Sequence, residues 1–484
     1  MIRARWAPLA LPLLCALASP LSGQDGKEMV VSHVEGHADQ YGVIAQQIWD
    51  FAELGYLETE SSSLLQRTLA DAGFTVEAGV AGIPTAFVAE FGQGEPVIGI
   101  LAEFDALPGI TQDRSPERAP RPEMGAGHAC GHHVFGAGSV AAAIAVSEWL
   151  DSSGTAGTVR LYGTPAEEGG AGKVYMVRGG LFDDVDAVLH WHAGDGNGVW
   201  AYSSLANKSA KFRFHGVSAH AAGAPDRARS ALDGVEAMND MVNMMREHVP
   251  QETRIHYVIT AGGLAPNVTP DFAEVFYYVR NPDPENVLSI FERVAKAAEG
   301  AAMGTGTEVE YEIIHGIYNL LPNVALAEAM QSNLEDVGGV EYNAEERAFA
   351  EALRATLPDD APPLESAAEV APLDFVGSLA GSTDVADVSW VVPTVGLGAA
   401  AWVPGTAAHS WQAVAAGGTS IGNKGMVVAA KTIAMTAVDL FTQPGLIEAA
   451  WAEHRESVGP DFVYESLVGD QPPPLDYRKA PSGR

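Results

Sequence analysis

The sequence predicts an α/β protein into which a second, two-layer α+β domain is inserted. Amphipathic helices alternate with short apolar strands from about residue 37 to 205, a pattern typical of helices packed on a sheet. The same pattern returns after Asn323. Between about residue 207 and 316 the order becomes strand, helix, strand, strand, helix, strand, which indicates a separate two-layer unit.

Composition indicates a large folded chain with an acidic surface. The 484 residues are 47% hydrophobic, which is enough to form a large core or two to three domains. Acidic residues outnumber basic residues by 62 to 28, and the formal net charge is -34. This excess argues against nucleic acids and anionic membrane surfaces as partners.

The first 23 residues predict a secretory signal peptide. Two arginines precede an apolar run of roughly a dozen residues, and small residues follow. The run is short for a membrane span, although an uncleaved anchor is the alternative. We expect an exported protein, periplasmic or extracellular, cleaved near Ala18 or Gly23 and free of the membrane afterwards. Cleavage removes Cys15, so Cys130 becomes the only thiol and no internal disulfide can form.

In the α/β region, two apolar runs end in carboxylates. The run EPVIGILAEFDALPG contains Glu103 and Asp105 near its end, and GTVRLYGTPAEEGG contains Glu167 and Glu168. Functional residues of such sheets lie on loops beyond the C-terminal ends of strands. We therefore expect these carboxylates to lie at one edge of the sheet.

In the inserted region, alternating and amphipathic patterns define the elements. The segments KSAKFRFHGVSAH, RIHYVITAGG and FAEVFYYVRN predict strands, and ARSALDGVEAMNDMVNMMREHV and PENVLSIFERVAKAAEGAA predict helices. Farther on, LPDDAPPLESAAEVAPL predicts a surface loop, and GDQPPPLDYRKAPSGR predicts an extended tail. The predicted segments are the signal peptide at 1–23, the α/β domain at 27–206 and 317–465, the inserted domain at 207–316 and the tail at 466–484.

A thiol and several imidazoles are concentrated in HACGHH, which contains Cys130 and His132. This pair suits a zinc-like ion, although a small buried cysteine beside ordinary histidines is an equal alternative. Later segments add further candidates at strand ends: Glu167 and Glu168, His190 and His192, which share a strand face, and His409. The joint pattern predicts a two-metal site, and the spacing alone permits either His190 or His192 as a ligand.

Seven motifs in this order resemble those of the dinuclear metallopeptidases and amidohydrolases related to aminoacylase and carboxypeptidase G. They are AEFDALPG, GHACGHH, PAEEGGAGK, HWH, GVSAHAAGAPDRARSAL, GGLAPNVTPDFAEVFYYVR and AAHSWQ, and the resemblance covers roughly residues 37 to 445. The segments SSLANKSAKFRFHG and GSTDVADVSWVVPT are most similar to the p-aminobenzoyl-glutamate hydrolase B-subunit group. The resemblance implies a zinc-peptidase-like catalytic domain, with a mixed sheet flanked by helices, and a lid or dimerisation role for the inserted domain.

The resemblance also implies a role for each candidate at the metal centre. Cys130 would bridge two divalent metal ions, zinc or manganese with cobalt as a further candidate. His132 and His192 would complete the ligands of one ion, and Glu168 and His409 those of the other. Glu167 would be the general base, and Asp105 would orient His132 through its second ring nitrogen. Many family members have Asp where this chain has His133, which is a departure from the pattern.

Further residues are implied in substrate binding. His220 would donate to the developing oxyanion, and in the family's dimers this histidine reaches the partner subunit's site. A homodimer or a heterodimer with a related subunit is therefore expected. Arg280 could pair with a free α-carboxylate, Asn267 could hold the amide or carboxylate, and Lys208 could be a further carboxylate partner. The alternative for these cations is an ordinary solvated position.

The predicted function is metal-dependent hydrolysis of the amide bond of N-acyl amino acids. The favoured substrates are p-aminobenzoyl-glutamate and similar acyl-glutamates, with a metal-activated water and Glu167 as general base. A dipeptidase or a broad aminoacylase is the related alternative. A non-enzymatic scaffold that holds a metal or a small acid is the competing class, and retention of Glu167 with all five predicted ligands argues against it. A thiol redox protein would lack a second cysteine for resolution.

Overall fold

A seven-stranded mixed sheet forms the centre of the larger structural unit. The computed structural model describes residues 23–375 and 381–478, so nearly all of the predicted signal peptide and the last six residues of the tail lie outside the described residues. The strands are β1 Thr75–Ala78, β2 Phe87–Gln93, β3 Val97–Ala102, β4 Leu107–Pro108, β5 Ala126–Gly127, β6 Gly157–Gly163, β7 Ala187–Gly194, β8 Gly198–Trp200, β9 Ala206–His215, β10 Arg254–Ala261, β11 Phe272–Asn281, β12 Glu308–Ile317 and β13 Thr394–Ala400.

The strand order of the large sheet is β1-β2-β6-β3-β7-β13-β8. The four central strands β6, β3, β7 and β13 run parallel, and the outer pairings are antiparallel. Strand β3 is buried at all six of its positions, as expected for a parallel strand covered on both faces. The predicted α/β class with a mixed sheet and flanking helices is therefore confirmed.

The helices of the large unit cover this sheet. Among the described residues of both units, the helices are α1 Gly23–Gly36, α2 Ala38–Phe51, α3 Thr59–Asp71, α4 His132–Ser153, α5 Gly172–Arg178, α6 Ala231–Met245, α7 Pro284–Thr305, α8 Val324–Val337, α9 Ala344–Arg354, α10 Val385–Ser389, α11 Trp411–Gly417, α12 Ser420–Thr442 and α13 Pro444–Val458. Helices α4 and α12 are long and apolar enough to cross a membrane, but 94% and 83% of their apolar windows are buried inside the protein. They are core helices that pack against each other and against β3, β7 and β13.

The inserted unit is a four-stranded antiparallel sheet, in the order β10-β11-β9-β12, with α6 and α7 on one face. Its elements follow the predicted order of strand, helix, strand, strand, helix, strand. Ser230 caps the start of α6 and Asp283 caps the start of α7, and each side chain accepts a backbone N–H. We refer to this unit, residues 206–317, as the lid.

The parallel arrangement brings the ends of the central strands to one edge of the sheet. Asp105 follows β3, the Glu167–Glu168 turn follows β6, and His192 lies near the end of β7. At the same edge, α4 begins directly after Gly131, whose φ of +78° is in the left-handed region. A Cβ at this position would overlap the side chain of Ala193, so glycine is required for the close approach.

Candidate metal centre and active site

The five predicted ligand side chains converge at this edge of the sheet. Cys130, His132 and His192 form one group of three, and Cys130, Glu168 and His409 form a second. Within each group the ligand atoms lie within 4.8 Å of one another. Because both groups contain Cys130, the thiol is shared by two sets of candidate metal ligands.

The Asp105 carboxylate fixes both groups at once. Its Oδ1 lies 2.9 Å from His132 Nδ1, and its Oδ2 accepts the backbone N–H of Glu168 at 2.9 Å. Burial alone would raise the pKa of Asp105, but His132 and the Glu168 N–H together lower it, so the carboxylate is held ionised. This bond directs His132 Nε2 away from Asp105 and toward the cluster.

The two glutamates project from a tight turn after β6. Ala166, which precedes them, has a φ of +61°, and its N–H donates to Glu58 Oε1 at 2.8 Å. Glu58 is fully buried and also accepts the hydroxyl of Thr85 at 3.0 Å. Glu58, which the sequence does not single out, therefore holds the strained backbone at the start of the Glu167–Glu168 turn.

The structure brings His192 to the cluster and leaves His190 outside it. His192 Nδ1 lies 2.7 Å from the carbonyl oxygen of Ala193, so Nδ1 carries the proton and Nε2 faces Cys130 Sγ at 3.5 Å. The ring of His190 packs over Gly396 and lies 5.7 Å from the Trp200 ring, and burial lowers its pKa to about 3. His190 is thus a neutral core residue.

His409 completes the second group from a strained backbone position. Its φ is +60°, and its N–H donates to the Ala129 carbonyl at 2.9 Å, next to Cys130. Its Nε2 lies 3.1 Å from Glu168 Oε1, and this contact raises the pKa of His409. The backbone contact therefore ties the loop after β13 to the loop that carries the thiol.

The donor set fits metal ions. His132 Nε2 and Glu168 Oε1 are buried, and among the described residues each has one ion-pair neighbour, Glu103 Oε2 and His409 Nε2 respectively, at 3.1 Å and without hydrogen-bond geometry. Buried polar atoms of folded proteins are rarely left in this state, so a bound species is expected at both. A thiol, imidazoles and one carboxylate are the ligands that zinc and related ions take. Burial raises the pKa of Cys130, so metal binding must displace its proton.

A buried ion network behind the cluster was not predicted. Lys173 Nζ lies 2.6 Å from both Glu103 Oε1 and Asp384 Oδ1, and all three side chains are at most 1% exposed. Glu103 Oε2 lies 3.1 Å from His132 Nε2, and Glu103, His132 and Glu167 form a third group of close ligand atoms. Its position at the end of an apolar run marks Glu103 in the sequence, but only its contacts with Lys173 and His132 show where its side chain points.

Glu167 lies among other acids. Burial raises its pKa, and the charges of Glu103 and Glu168 raise it further. A carboxylate whose pKa is raised holds a proton more readily, as acceptance and return of a proton require.

His133, which replaces the usual Asp, faces away from the cluster. Its Nε2 lies 2.9 Å from the carbonyl oxygen of Gly417 in α11, so this nitrogen is the donor. Burial lowers its pKa to about 3. The side chain therefore links α4 to α11 as a neutral residue.

Of the predicted lid residues, only Arg280 faces the cluster within this chain. Arg280 lies close enough to interact electrostatically with Glu167 and His409. Lys208 lies on the opposite face of the lid sheet, because its neighbour in register is the buried Val279 and its Nζ sits 5.1 Å from the centre of the Phe291 ring. The expectation that Lys208 binds substrate carboxylate is therefore not supported by its position.

His220 and Asn267 lie together on an exposed loop region of the lid. The N–H of Ala221 donates to the Asn267 carbonyl at 3.0 Å, and His220 pairs with Val268 in an isolated bridge. In the part of the chain that the structure describes, neither side chain makes a hydrogen bond to a residue of the metal cluster. A single chain thus holds the metal-ligand groups and Arg280 together but not His220.

A buried thiol, imidazoles and carboxylates at the strand ends, beside an additional glutamate, define a metallohydrolase of amide or peptide bonds. The chain belongs to peptidase family M20/M25/M40, whose model matches residues 99–357. This membership confirms the family resemblance and the hydrolase class.

Two relatives and one solved structure illustrate the similarity. The chain is 44% identical to the B subunit of p-aminobenzoyl-glutamate hydrolase from Escherichia coli strain K12, covering 87% of this chain and 93% of that protein. It is 28% identical to the Xaa-Arg dipeptidase of Mus musculus, covering 89% and 92% of the two chains. A crystal structure of the aminobenzoyl-glutamate utilization protein from Klebsiella pneumoniae shares the fold, with a TM-score of 0.60, 19% identity and coverage of 85% and 98%.

Proposed function

We propose that this protein hydrolyses the amide bond of N-acyl amino acids, with p-aminobenzoyl-glutamate and similar acyl-glutamates as the favoured substrates. The observation that carries the proposal is the position of Glu167 beside two ligand groups that share Cys130. The similarity to one subunit of a p-aminobenzoyl-glutamate hydrolase supports the substrate class. Dipeptides are the alternative substrates, supported by the similarity to a dipeptidase.

Five side chains would hold two divalent ions, zinc or manganese with cobalt as a further candidate. Cys130 would contribute to both sites, His132 and His192 to the first, and Glu168 and His409 to the second. Two such cations, when bound, lower the pKa of a water between them and polarise the amide carbonyl. Asp105 and the Ala193 carbonyl keep the two imidazoles in the tautomer that presents Nε2.

Glu167 would move the proton. Its raised pKa allows it to take a proton from the attacking water and to deliver that proton to the leaving amine. The turn holds the carboxylate beside His132 and Glu103.

Arg280 would bind a carboxylate of the leaving amino acid. Its guanidinium is partly buried, its Nε is buried without a hydrogen-bond partner, and no described carboxylate lies within ion-pair distance. Its forked donors match a carboxylate in two parallel hydrogen bonds. The α-carboxylate that every leaving amino acid carries would satisfy this side chain.

A second subunit would complete the site. His220 and Asn267 lie on the exposed side of the lid, so we propose that they reach the cluster of a partner subunit, where His220 would donate to the oxyanion. The partner would be a second copy or a related subunit. The Escherichia coli relative is itself named as one subunit of a hydrolase, which supports an assembly of more than one chain.

We also propose that the protein is exported. The support is the signal-like pattern of residues 1–23, and a cut near Ala18 or Gly23 would leave the buried Val30 and Val34 of α1 in the mature chain. Cell fractionation with N-terminal sequencing tests this. A new N-terminus near either residue in the exported fraction is expected, and an intact Met1 in the cytoplasmic fraction would contradict it.

The test of function combines metal analysis with hydrolysis. About two metal ions per chain and chelator-sensitive release of glutamate from p-aminobenzoyl-glutamate are expected. Two ions without release of glutamate would retain the metal centre and reject the favoured substrate, and a panel of acyl amino acids and dipeptides would then identify the class. No metal, together with a freely reactive Cys130 in the folded protein, would overturn the proposal.

A further inference from the structure

The C-terminal segment 464–478 crosses the junction between the lid and the large unit. At its start, Tyr464 donates its hydroxyl to Asp387 Oδ1 at 2.6 Å. Farther along, Gln471 donates its amide to the Ile313 carbonyl of β12 at 2.6 Å. From the large unit, Arg178 donates to the carbonyls of Gly469 and Gln471 at 2.6 and 2.8 Å. The segment is therefore anchored to both units.

The end of this segment reaches the turn that carries the catalytic carboxylates. The guanidinium of Arg478 donates to the backbone carbonyl of Glu168, and the hydroxyl of Tyr477 lies 3.5 Å from the same oxygen. The Tyr477 ring packs edge-on against Tyr56 with 5.7 Å between centroids. Sequence patterns alone classified this stretch as a tail, but its last described residues form part of the active-site wall.

Arg478 and Arg280 approach the same tyrosine. Tyr278 projects from the cluster-facing side of β11, and its ring lies 5.4 Å from the Arg280 guanidinium carbon. A Cβ built on Gly169 would lie 3.6 Å from the Tyr278 hydroxyl and 3.7 Å from Arg478 Nη2. The two arginines therefore approach one short stretch of wall beside Glu168.

Both guanidiniums retain unused donors. The Nε atoms of Arg280 and Arg478 are each buried without a hydrogen-bond partner, and neither side chain has a described carboxylate within ion-pair distance. A buried donor left unsatisfied is costly, and the cost is greater for a charged group. Two buried guanidiniums with unused donors, in a chain of net charge -34, indicate a binding site for an anionic ligand.

We propose that Arg478 is a specificity-determining residue that binds the side-chain carboxylate of the leaving amino acid while Arg280 binds its α-carboxylate. The inference rests on the proposed function and adds the requirement for a dicarboxylic leaving group. Two forked guanidiniums, one from β11 and one from the C-terminal segment, form a clamp across the hydroxyl of Tyr278. The C-terminal segment is then part of the substrate site.

The test compares p-aminobenzoyl-glutamate with p-aminobenzoyl-glutamine, which has nearly the same shape but lacks the side-chain charge. In R478M, kcat/KM for the glutamate compound is expected to fall about 10- to 100-fold, the range for a charged hydrogen bond. For the glutamine compound, kcat/KM is expected to change less than about threefold, within ordinary mutational scatter. R478K should recover part of the preference, because it restores the charge without the forked geometry.

The matched control is R455M, which removes an exposed arginine of α13 and should leave both rates unchanged. Equal losses on both compounds in R478M would show that Arg478 only supports the wall, and no loss would remove it from the site. Either result overturns the proposal, and thermal unfolding of each variant identifies any that fail to fold.

A binding measurement separates this inference from the proposed function. If the wild-type protein hydrolyses neither compound, the proposed function fails, and calorimetry with glutamate and glutamine still tests the clamp. Glutamate should bind the metal-loaded wild-type protein more tightly than glutamine does, and R478M should lose that difference. Equal affinities in the wild-type protein would overturn the clamp.

Discussion

At the scale of single residues, contacts with neighbouring residues fix the positions of the side chains in the site. Glu167 and Glu168 are adjacent in sequence, yet one joins the second ligand group and the other lies beside His132 and Glu103. Both side chains follow Ala166, whose left-handed backbone is held by Glu58. The residue types could be predicted from the motifs, whereas the roles of Glu58 and Glu103 depend on packing that no local pattern records.

The first prediction concerns Glu167. In E167Q the amide cannot accept the proton, so hydrolysis is expected to fall by about 10²- to 10⁴-fold. Metal content should remain at the wild-type level, because Glu167 belongs to neither group that contains Cys130. Single-turnover hydrolysis and metal analysis on the same preparation check this. Unchanged turnover, or loss of metal together with activity, would contradict the role assigned to Glu167.

The second prediction concerns Gly131. In G131A the new Cβ would meet Ala193, and the backbone would remain at a φ of +78° that L-residues rarely adopt. The free energy of unfolding is expected to decrease by at least about 1–3 kcal/mol, measured by denaturant titration. The control is G36A in α1, where a Cβ would have nothing within 4 Å. G131A as stable as G36A would contradict the steric argument.

At the scale of elements, helix α10 contributes a buried acid that couples stability to pH. Asp387 accepts the hydroxyl of Tyr464 at 2.6 Å and the N–H of Tyr318 at 3.0 Å. Burial raises the pKa of Asp387 to about 7, against an ordinary value of 3.8. Since the folded protein keeps this proton where the unfolded chain has lost it, the contribution of Asp387 to stability is full below its ordinary pKa of 3.8 and is lost as the pH rises through about 7.

The third prediction follows from the raised pKa of Asp387. In the wild-type protein, ionisation of Asp387 should lower the free energy of unfolding by about 2–3 kcal/mol between about pH 5 and pH 8. D387N cannot ionise, so its unfolding free energy should decrease less over this range, whatever its absolute stability. Denaturant titrations at both pH values check this, with D359N on an exposed loop as control. Equal decreases in D387N and wild type would contradict the assignment.

The elements themselves were largely predictable. The strand and helix order of the lid follows from alternation and amphipathic spacing, which are local properties. The orientation of the side chains was less predictable from the sequence. Lys208 and Arg280 both lie on lid strands, but on opposite faces of the sheet. One residue of register decides the face, and register is set by pairing with strands far away in the sequence.

At the scale of the whole molecule, the separation of His220 from the metal groups makes assembly testable. If His220 acts on a partner's site, neither H220A nor E167Q alone is active, but a mixed dimer contains one intact site. Co-expressed 1:1 mixtures should then recover about a quarter of the wild-type activity. Activity of the mixture no higher than that of either variant alone would contradict a site shared between subunits.

The sequence by itself determined the fold class, the family resemblance and the candidate ligand residues, with His190 and His192 left as alternatives. These depend on residue type and local spacing, which survive without knowledge of the packing. Only the tertiary structure decided that His192 rather than His190 joins Cys130, that Lys208 faces α7, and that Arg478 reaches the Glu168 carbonyl. The reason is physical: each outcome depends on which surfaces meet, and the meeting surfaces are separated by tens to hundreds of residues along the chain.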